Sequence, residues 1–207
     1  MAEYKYDMSV IIPVYNLEKS IAKCVNSLLD QTHPFSKIEV ILINDGSQDN
    51  SEEECRKFSD KYDNVKLINQ ENQGVSAARN AGIKSAQGRY IMYVDGDDTI
   101  SKPTVASLVT FFDENYDKVD LVTYNLIYVN ESNELSGHDR YKILSHSGVY
   151  DIFDNIHITQ TTMNICVKNQ EDPVLFDTTL YLSEDQFYIM DWLMKKHKIG
   201  FAENADY

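Results

Sequence analysis

Cysteine is scarce in this chain. Cys24, Cys55 and Cys166 are the only three among 207 residues, an odd, widely spaced set with no C-x-x-C pair. That pattern excludes a disulfide framework and a cysteine-based zinc cluster. It points to a reducing compartment in which the thiols serve as small buried hydrophobes. Basic charge is scarce too. Nineteen Lys and Arg face 33 Asp and Glu, for a formal net charge of −14, which argues against nucleic acid or an anionic membrane as a partner held by bulk charge. A phosphate-bearing small molecule needs only a local site and stays open. No apolar run approaches the length of a membrane-spanning helix, and the N-terminus has no apolar signal region. His33, His138, His146, His157 and His197 show no H-x-x-x-H spacing and are expected on the surface or in loops. No G-x-x-x-x-G-K-[ST] loop occurs, which counts against a P-loop NTPase. The expectation is a cytoplasmic protein with no membrane segment in this chain, with peripheral association at the inner face of a membrane left open.

What is present is a regular alternation of strands and helices. Hydrophobic residues make up 43% of the chain, enough for a real core in one domain, 1–207. Continuous apolar runs at 8–15, 38–43, 65–69 and 90–94 read as buried strands. Between them, residues 17–30, 52–61 and 75–82 read as helices, and a fourth starts near Ser101 and Pro103. The first carries Ile21, Cys24, Val25, Leu28 and Leu29 on one face, with Asn16 as its cap and Glu18 in its first turn. The third is rich in small residues, Ser76, Ala77, Ala78, Ala81 and Gly82, which allows close packing on a sheet. Such alternation predicts an α/β fold with a mostly parallel sheet flanked by helices. Residues 119–207 differ. They predict a mixed α+β half with a strand at 120–129, a hairpin return at 140–144, a short helix at 149–156 and a strand at 161–168. Beyond these come an irregular stretch at 173–182 and a helix at 183–196. That helix has Ser183 as cap, with Phe187, Met190 and Met194 along one side, and a last strand covers 199–202.

Three acidic constellations stand out. Asp95-Gly96-Asp97-Asp98 follows the fourth strand, and buried α/β strands leave such residues at their C-terminal ends, where ligands of open sheets bind. Clustered carboxylates need solvent or a cation, and Mg²⁺ or Mn²⁺ prefers oxygen ligands. An Asp-Gly turn in solvent explains the same residues, while Gly96 would also let the backbone turn and approach a ligand. Asp45 beside Gly46 is either a turn residue or an acceptor for a nucleobase imide. Asn72-Gln73-Gly74 with Arg79 and Asn80 is either loop-and-cap chemistry or a diphosphate environment at a helix start. Glu184-Asp185 complements a helix dipole, which would also keep a carboxylate ionised as a base requires.

Taken together and in order, these stretches resemble glycosyltransferase family 2, the inverting family with the Rossmann-like GT-A fold. The resemblance lies in Ser9-Val10-Ile11-Ile12-Pro13-Val14-Tyr15-Asn16, Ile43-Asn44-Asp45-Gly46-Ser47-Gln48-Asp49, the stretch Asn72 to Gly82, Asp95-Gly96-Asp97-Asp98 and Ser183-Glu184-Asp185-Gln186-Phe187. It implies a nucleotide-diphospho-sugar donor, most often a UDP-sugar, and Mn²⁺ or Mg²⁺. By resemblance, residues 1–118 form the nucleotide-sugar-binding half and 119–207 the acceptor side. Pro13, Val14, Tyr15, Glu18, Asp45, Asn72, Gln73, Arg79, Asp95 and Gly96 would meet the donor. Asp97 would hold the metal with Asp95 and Asp98 beside it. Asp185 would be the general base, with Glu184 as its neighbour. The implied enzyme is a hexosyl- or N-acetylhexosaminyltransferase. It would act on a glycan, lipid-linked or polyol-phosphate acceptor in capsular polysaccharide, teichoic acid or glycoconjugate synthesis. No Q-x-x-R-W element is present, which favours a non-processive transferase. The end at Tyr207 is expected to fall within the domain, making the chain a fragment. Two other readings are a non-catalytic nucleotide-sugar-binding domain of a larger synthase and a nucleotidyltransferase. The latter is disfavoured by the missing glycine-rich, lysine-bearing loop after the first strand.

Overall fold

The centre of the molecule is β1, Tyr6–Val14, with β2, Ile38–Asp45, on one side and β4, Gly88–Tyr93, on the other. All three run parallel. Their side chains alternate between two cores, as a two-residue period requires. Met8, Val10, Ile12 and Val14 face one core, and Ile11 faces the other. The computed structural model describes residues 4–127, 144, 146–155, 163–180 and 182–207. Among these, β3 (Val65–Gln70), β5 (Leu121–Asn125), β6 (Gly148–Asp151), β7 (Ile165–Lys168) and β8 (Lys198–Asp206) complete an eight-stranded sheet. Its order is β3-β2-β1-β4-β7-β5-β8-β6. β7 runs antiparallel to both β4 and β5, and β6 runs antiparallel to β8, so the expected mostly parallel sheet with a mixed second half is what forms.

Helices cover both faces. α1 (Ile21–Leu29), α2 (Ser51–Ser59) and α4 (Thr104–Asn115) place Cys24, Leu28, Cys55, Val105, Leu108 and Phe112 in the first core. α3 (Val75–Ser85) and α5 (Glu184–Lys196) place Ala78, Ile83, Ile189 and Trp192 in the second. All three cysteines are free and buried. α3 lies close on β1, and a Cβ added at Gly82 would fall 2.5 Å from Ile11 Cγ2. No described helix is long and apolar enough to cross a membrane.

Pro13 sits inside a central strand without cost. The Ile11 carbonyl accepts from Val94 N–H, so Ile11, and Pro13 two residues on, face the β4 edge. Pairing with β4 ends at Ile11 opposite Tyr93, while pairing with β2 continues to Val14. The absent donor falls where β1 has already lost that neighbour.

Several boundaries differ from the sequence expectation. α1 begins at Ile21, not at residue 17. Asn16 adopts φ 56° and does not cap it. Its Oδ1 accepts from Gln48 N–H at 2.8 Å, its N–H donates to Ser47 Oγ at 3.0 Å, and Leu17 N–H donates to Ser51 Oγ at 2.7 Å. The post-β2 loop thus takes the donors that would have begun the helix. Residues 148–151 form strand β6, not part of a helix, because they pair with β8; residue 156 lies outside the described residues. β5 ends at Asn125, and the expected hairpin over 130–143 lies outside the described residues. β7 begins at Ile165, with residues 161–162 not described. Ser183 adopts φ 62° and makes no side-chain cap. Phe187, Met190 and Met194 are exposed, and α5 instead buries Tyr188, Ile189, Trp192 and Leu193. The reason is an aromatic stack: Tyr188 lies parallel to Phe176 at 3.9 Å and edge-on to Tyr93 at 5.7 Å.

Because Ile11 fills the space a side chain at residue 82 would need, Gly82→Val is expected to lower stability by about 1–3 kcal/mol through overpacking. Urea unfolding followed by circular dichroism checks it, with a reduced midpoint as the expected result.

Candidate active site

The C-terminal ends of β1, β2 and β4 open on one cleft of about 390 Å³, lined by Pro13, Val14, Tyr15, Asp45, Asn72, Arg79, Asp95, Gly96 and Asp97. The structure therefore brings together nine of the residues singled out for donor or metal binding. A second cavity of about 300 Å³ is lined by Arg79, Asp95, Asp98, Glu184, Asp185 and Tyr207, among others. Arg79 and Asp95 belong to both, so the acid loop and the start of α5 face each other across a shared wall. Glu18 and Gln73 do not line either cavity. Glu18 Oε2 accepts from the backbone and side chain of Asn50, both at 3.1 Å, and so joins the loops after β1 and β2.

Asp45 is buried, and both its carboxylate oxygens are engaged. Oδ1 accepts from Gln70 Nε2 at 2.7 Å and Gln73 N–H at 2.9 Å, and Oδ2 accepts from Gly74 N–H at 2.8 Å. Gln73 contributes through its backbone. Asp45 thereby shapes the 70–74 loop that leads into α3, whatever else it meets. Gly74 takes φ 87° at the start of that helix, a backbone state suited to glycine. Gly96 does not: its φ is not positive. A Cβ there would come 2.7 Å from Leu17 Cδ1 and 3.2 Å from the Pro13 carbonyl, so the glycine serves close approach between the two loops rather than a left-handed turn.

Arg79 is the structural hub. It is 4% exposed, and its guanidinium donates to Asp95 Oδ1 at 3.0 Å and to Glu184 Oε1 at 3.4 Å. It lies 5.4 Å from the Phe176 ring centroid. Next to it, Asn80 Nδ2 donates to the Phe176 carbonyl at 2.9 Å and Asn80 Oδ1 accepts from Phe176 N–H at 2.8 Å. α3 thus ties the acid loop, the 173–180 segment and α5 into one unit. Asp185 is half-buried, and its Oδ1 accepts from Gln186 N–H at 2.8 Å.

The acids crowd one another. Asp97 and Asp98 reach solvent, yet the cleft wall desolvates the Asp98 carboxyl and, with Asp97 and Asp95 beside it, pushes it up to about 6. A hydrogen bond from the Tyr207 hydroxyl opposes that shift. No three described acidic, histidine or cysteine side chains form a ready metal cage. An oxygen-only set of one or two carboxylates open to solvent is nonetheless the donor chemistry Mg²⁺ and Mn²⁺ use when a substrate phosphate completes the shell. The mutual repulsion is what a cation there would relieve. Tyr207 and Phe176 were not evident as site residues from the sequence. Neither sits in a motif, and both arrive by chain topology.

A family model described as glycosyl transferase family 2 matches residues 9–170. The minor teichoic acid biosynthesis protein GgaB of Bacillus subtilis (strain 168) is 32% identical over 207 residues, covering 99% of this chain and 23% of that protein. The poly(ribitol-phosphate) beta-glucosyltransferase of Bacillus spizizenii is 31% identical over 205 residues, covering 97% of this chain and 31% of that protein. Among solved structures, S. aureus TarS 1–349 in complex with UDP superposes with a TM-score of 0.84 at 25% identity, over 97% of this chain and 60% of that one. The same TarS fragment is known in complex with UDP-GlcNAc. The chain spans under a third of the length of these two curated relatives, and the GT-A architecture expected from the sequence is shared with TarS.

Removing the Asp45 carboxylate leaves two backbone donors and the Gln70 amide without their partner. Asp45→Ala is expected to cost about 2–3 kcal/mol of stability, with Asp45→Asn losing less. Denaturant unfolding of the two variants side by side checks the order.

Proposed function

The chain belongs to glycosyl transferase family 2, and from that premise we propose that it transfers a sugar from a UDP-sugar to an acceptor hydroxyl, with inversion and with help from a divalent cation. The acceptor class we propose is a polyol-phosphate or related glycan of the cell surface. The observation that carries the reading is the juxtaposition across Arg79 of Asp95 and Glu184: one guanidinium joins the loop after β4 to the first turn of α5. A donor cleft and a candidate base are thereby held on one wall. The teichoic-acid relatives support the acceptor class, and the TarS complexes with UDP and UDP-GlcNAc support the donor.

Each residue then has a role derived from its position. Pro13, Val14 and Tyr15 offer an apolar and aromatic wall for the base. The start of α3, at Val75, faces the same cleft and suits the diphosphate through the N–H groups of its first turn, which have no earlier helical carbonyl to bond; the Gly74 N–H is already given to Asp45. Arg79 has its charge divided between two carboxylates, so it cannot by itself neutralise a diphosphate beside Asp95, Asp97 and Asp98. Asp97 with Asp95 or Asp98 would hold Mn²⁺ or Mg²⁺, which when bound supplies positive charge to the departing diphosphate. Asp185 takes the proton from the acceptor hydroxyl as its oxygen bonds to the anomeric carbon and the diphosphate leaves with the electron pair of the broken bond. Attack from the face opposite the leaving group inverts the centre in one step. Glu184, held by Arg79, keeps its neighbour Asp185 oriented toward the cavity.

Two expected outcomes test this. UDP with Mn²⁺ should raise the melting temperature, and Asp97→Ala should abolish the Mn²⁺-dependent part. No shift with a panel of UDP, GDP and CDP sugars would sink the donor site. Asp185→Asn should keep donor binding while transfer, or slow donor hydrolysis, falls by at least about 100-fold, the lower range for a general base. Unchanged turnover would assign the base elsewhere.

A further inference from the structure

The last residues of β8 arrive at the acid loop by an irregularity in pairing. Along β5, Tyr124 pairs with Ala202, but the next residue, Asn125, pairs with Asp206. Residues 203–205 of β8 stand opposite no residue of β5, with Ala205 packed in the first core, and such an irregularity re-aims the chain beyond it. The residue delivered in this way is Tyr207. Its backbone is fixed on both sides, with Tyr207 N–H donating to Asn125 O at 2.9 Å and Ile127 N–H donating to Tyr207 O at 3.0 Å. Asp206 is clamped to the start of α4, where its N–H donates to Thr104 Oγ1 and its carbonyl accepts from the same hydroxyl, both at 3.0 Å. Held there, the Tyr207 hydroxyl accepts from Asp95 N–H at 2.6 Å and lines the same cavity as the Asp98 side chain. Asp98 N–H in turn donates to the Asp95 carbonyl at 2.9 Å. A hydroxyl has one proton to give and lone pairs to accept with, so the group that takes the backbone N–H at the start of the loop keeps a proton to offer the carboxylates around it.

We infer that Tyr207 is a positioning residue for the metal-binding loop: its hydroxyl holds the Asp95 N–H at the start of the loop and so sets the geometry in which Asp97 is presented. The inference rests on the donor reading above. Of the loop's acids, Asp95 and Asp97 line the donor cleft, and Asp95 is tied to both Arg79 and Tyr207. Fixing Asp95 leaves Asp97, which reaches solvent, as the oxygen ligand presented to the cleft. Tyr124 supplies a built-in control. Its ring lies 6.3 Å from that of Tyr207, but its buried hydroxyl has no hydrogen-bond partner among the described residues.

The experiment is Mn²⁺ titration by electron paramagnetic resonance with UDP present, on the wild-type chain and three variants. Tyr207→Phe keeps the ring and should weaken Mn²⁺ binding about 10-fold, the low end for loss of an outer-shell partner. Tyr124→Phe should leave it within twofold. Thr104→Val, which removes both Thr104 bonds to Asp206 and leaves it the Ser101 N–H and the Asn125 amide, should weaken it severalfold and carries the test if Tyr207→Phe does not fold. Wild-type affinity in Tyr207→Phe overturns the inference, as does wild-type affinity in Thr104→Val where that variant carries the test, or an equal loss in Tyr124→Phe. Failure of the wild-type chain to bind Mn²⁺ with UDP overturns the metal reading itself and this inference with it, an outcome distinct from the others.

Discussion

A single buried guanidinium holds the working face of this protein together. Arg79 is set on α3, reaches forward to Asp95 and sideways to Glu184, and rests on Phe176. Each contact joins a different stretch of chain. Without a cation at that point, Asp95 and Glu184 would face each other as like charges and oppose the approach of the first turn of α5 to the loop after β4. Charged groups taken out of water are costly unless paired. Here the pairing is what makes two halves of the chain one site. The neighbouring Asn80 bonds to Phe176 and the Phe176–Tyr188–Tyr93 stack extend the same anchorage into the second core.

The charge inventory around that hub decides what the cleft can accept. Among the described residues, one arginine, already shared, and Lys23, on a cavity wall with Asp97 and Asp98, stand among Asp45, Asp95, Asp97, Asp98, Glu184 and Asp185. Asp45 has spent its oxygens on the 70–74 loop. The others give a negative site, hostile to a bare anion. On the reading proposed above, a nucleotide diphosphate and a divalent cation would suit it as a pair, each making the other acceptable. That reciprocity would link donor binding to metal binding through electrostatics.

Much of this was legible in the sequence. The four leading strands, the helices between them and the small-residue face of α3 are predictable from period and composition, because each is a local pattern with a buried face. The cleft residues Pro13 to Tyr15, Asp45, Asn72, Asp95 and Asp97 are predictable from their places at or just past strand ends, and Arg79 from the helix start that carries it and the family resemblance. Roles were harder. Asp45 looks free to meet a ligand until its loop donors are seen, and Gly96 looks like a turn residue until Leu17 and Pro13 are found against it. Asn16 has the chemistry of a cap and spends it on Gln48. Tyr207 is silent in sequence because its position depends on a pairing irregularity between β5 and β8, which no local pattern encodes. The exposed Phe187, Met190 and Met194 mislead for the opposite reason. They are apolar at helical spacing, and a stack of aromatic rings claims the other side of α5.

The early end of pairing between β1 and β4 has a thermodynamic meaning. β1 keeps its bonds to β2 as far as Val14 but parts from β4 after Ile11, at the point where the sheet changes its winding direction. The two strand ends splay, and the cleft proposed for the donor opens beside the gap between them. Strand register sets one part of that opening, and the loops after β1, β3 and β4 complete its walls. Pro13, Val14 and Asp45 on its wall are fixed in the sheet. Little ordering entropy is left for a ligand to overcome there, so affinity at this end should be governed by charge and shape, and adaptation should be confined to the α5 side.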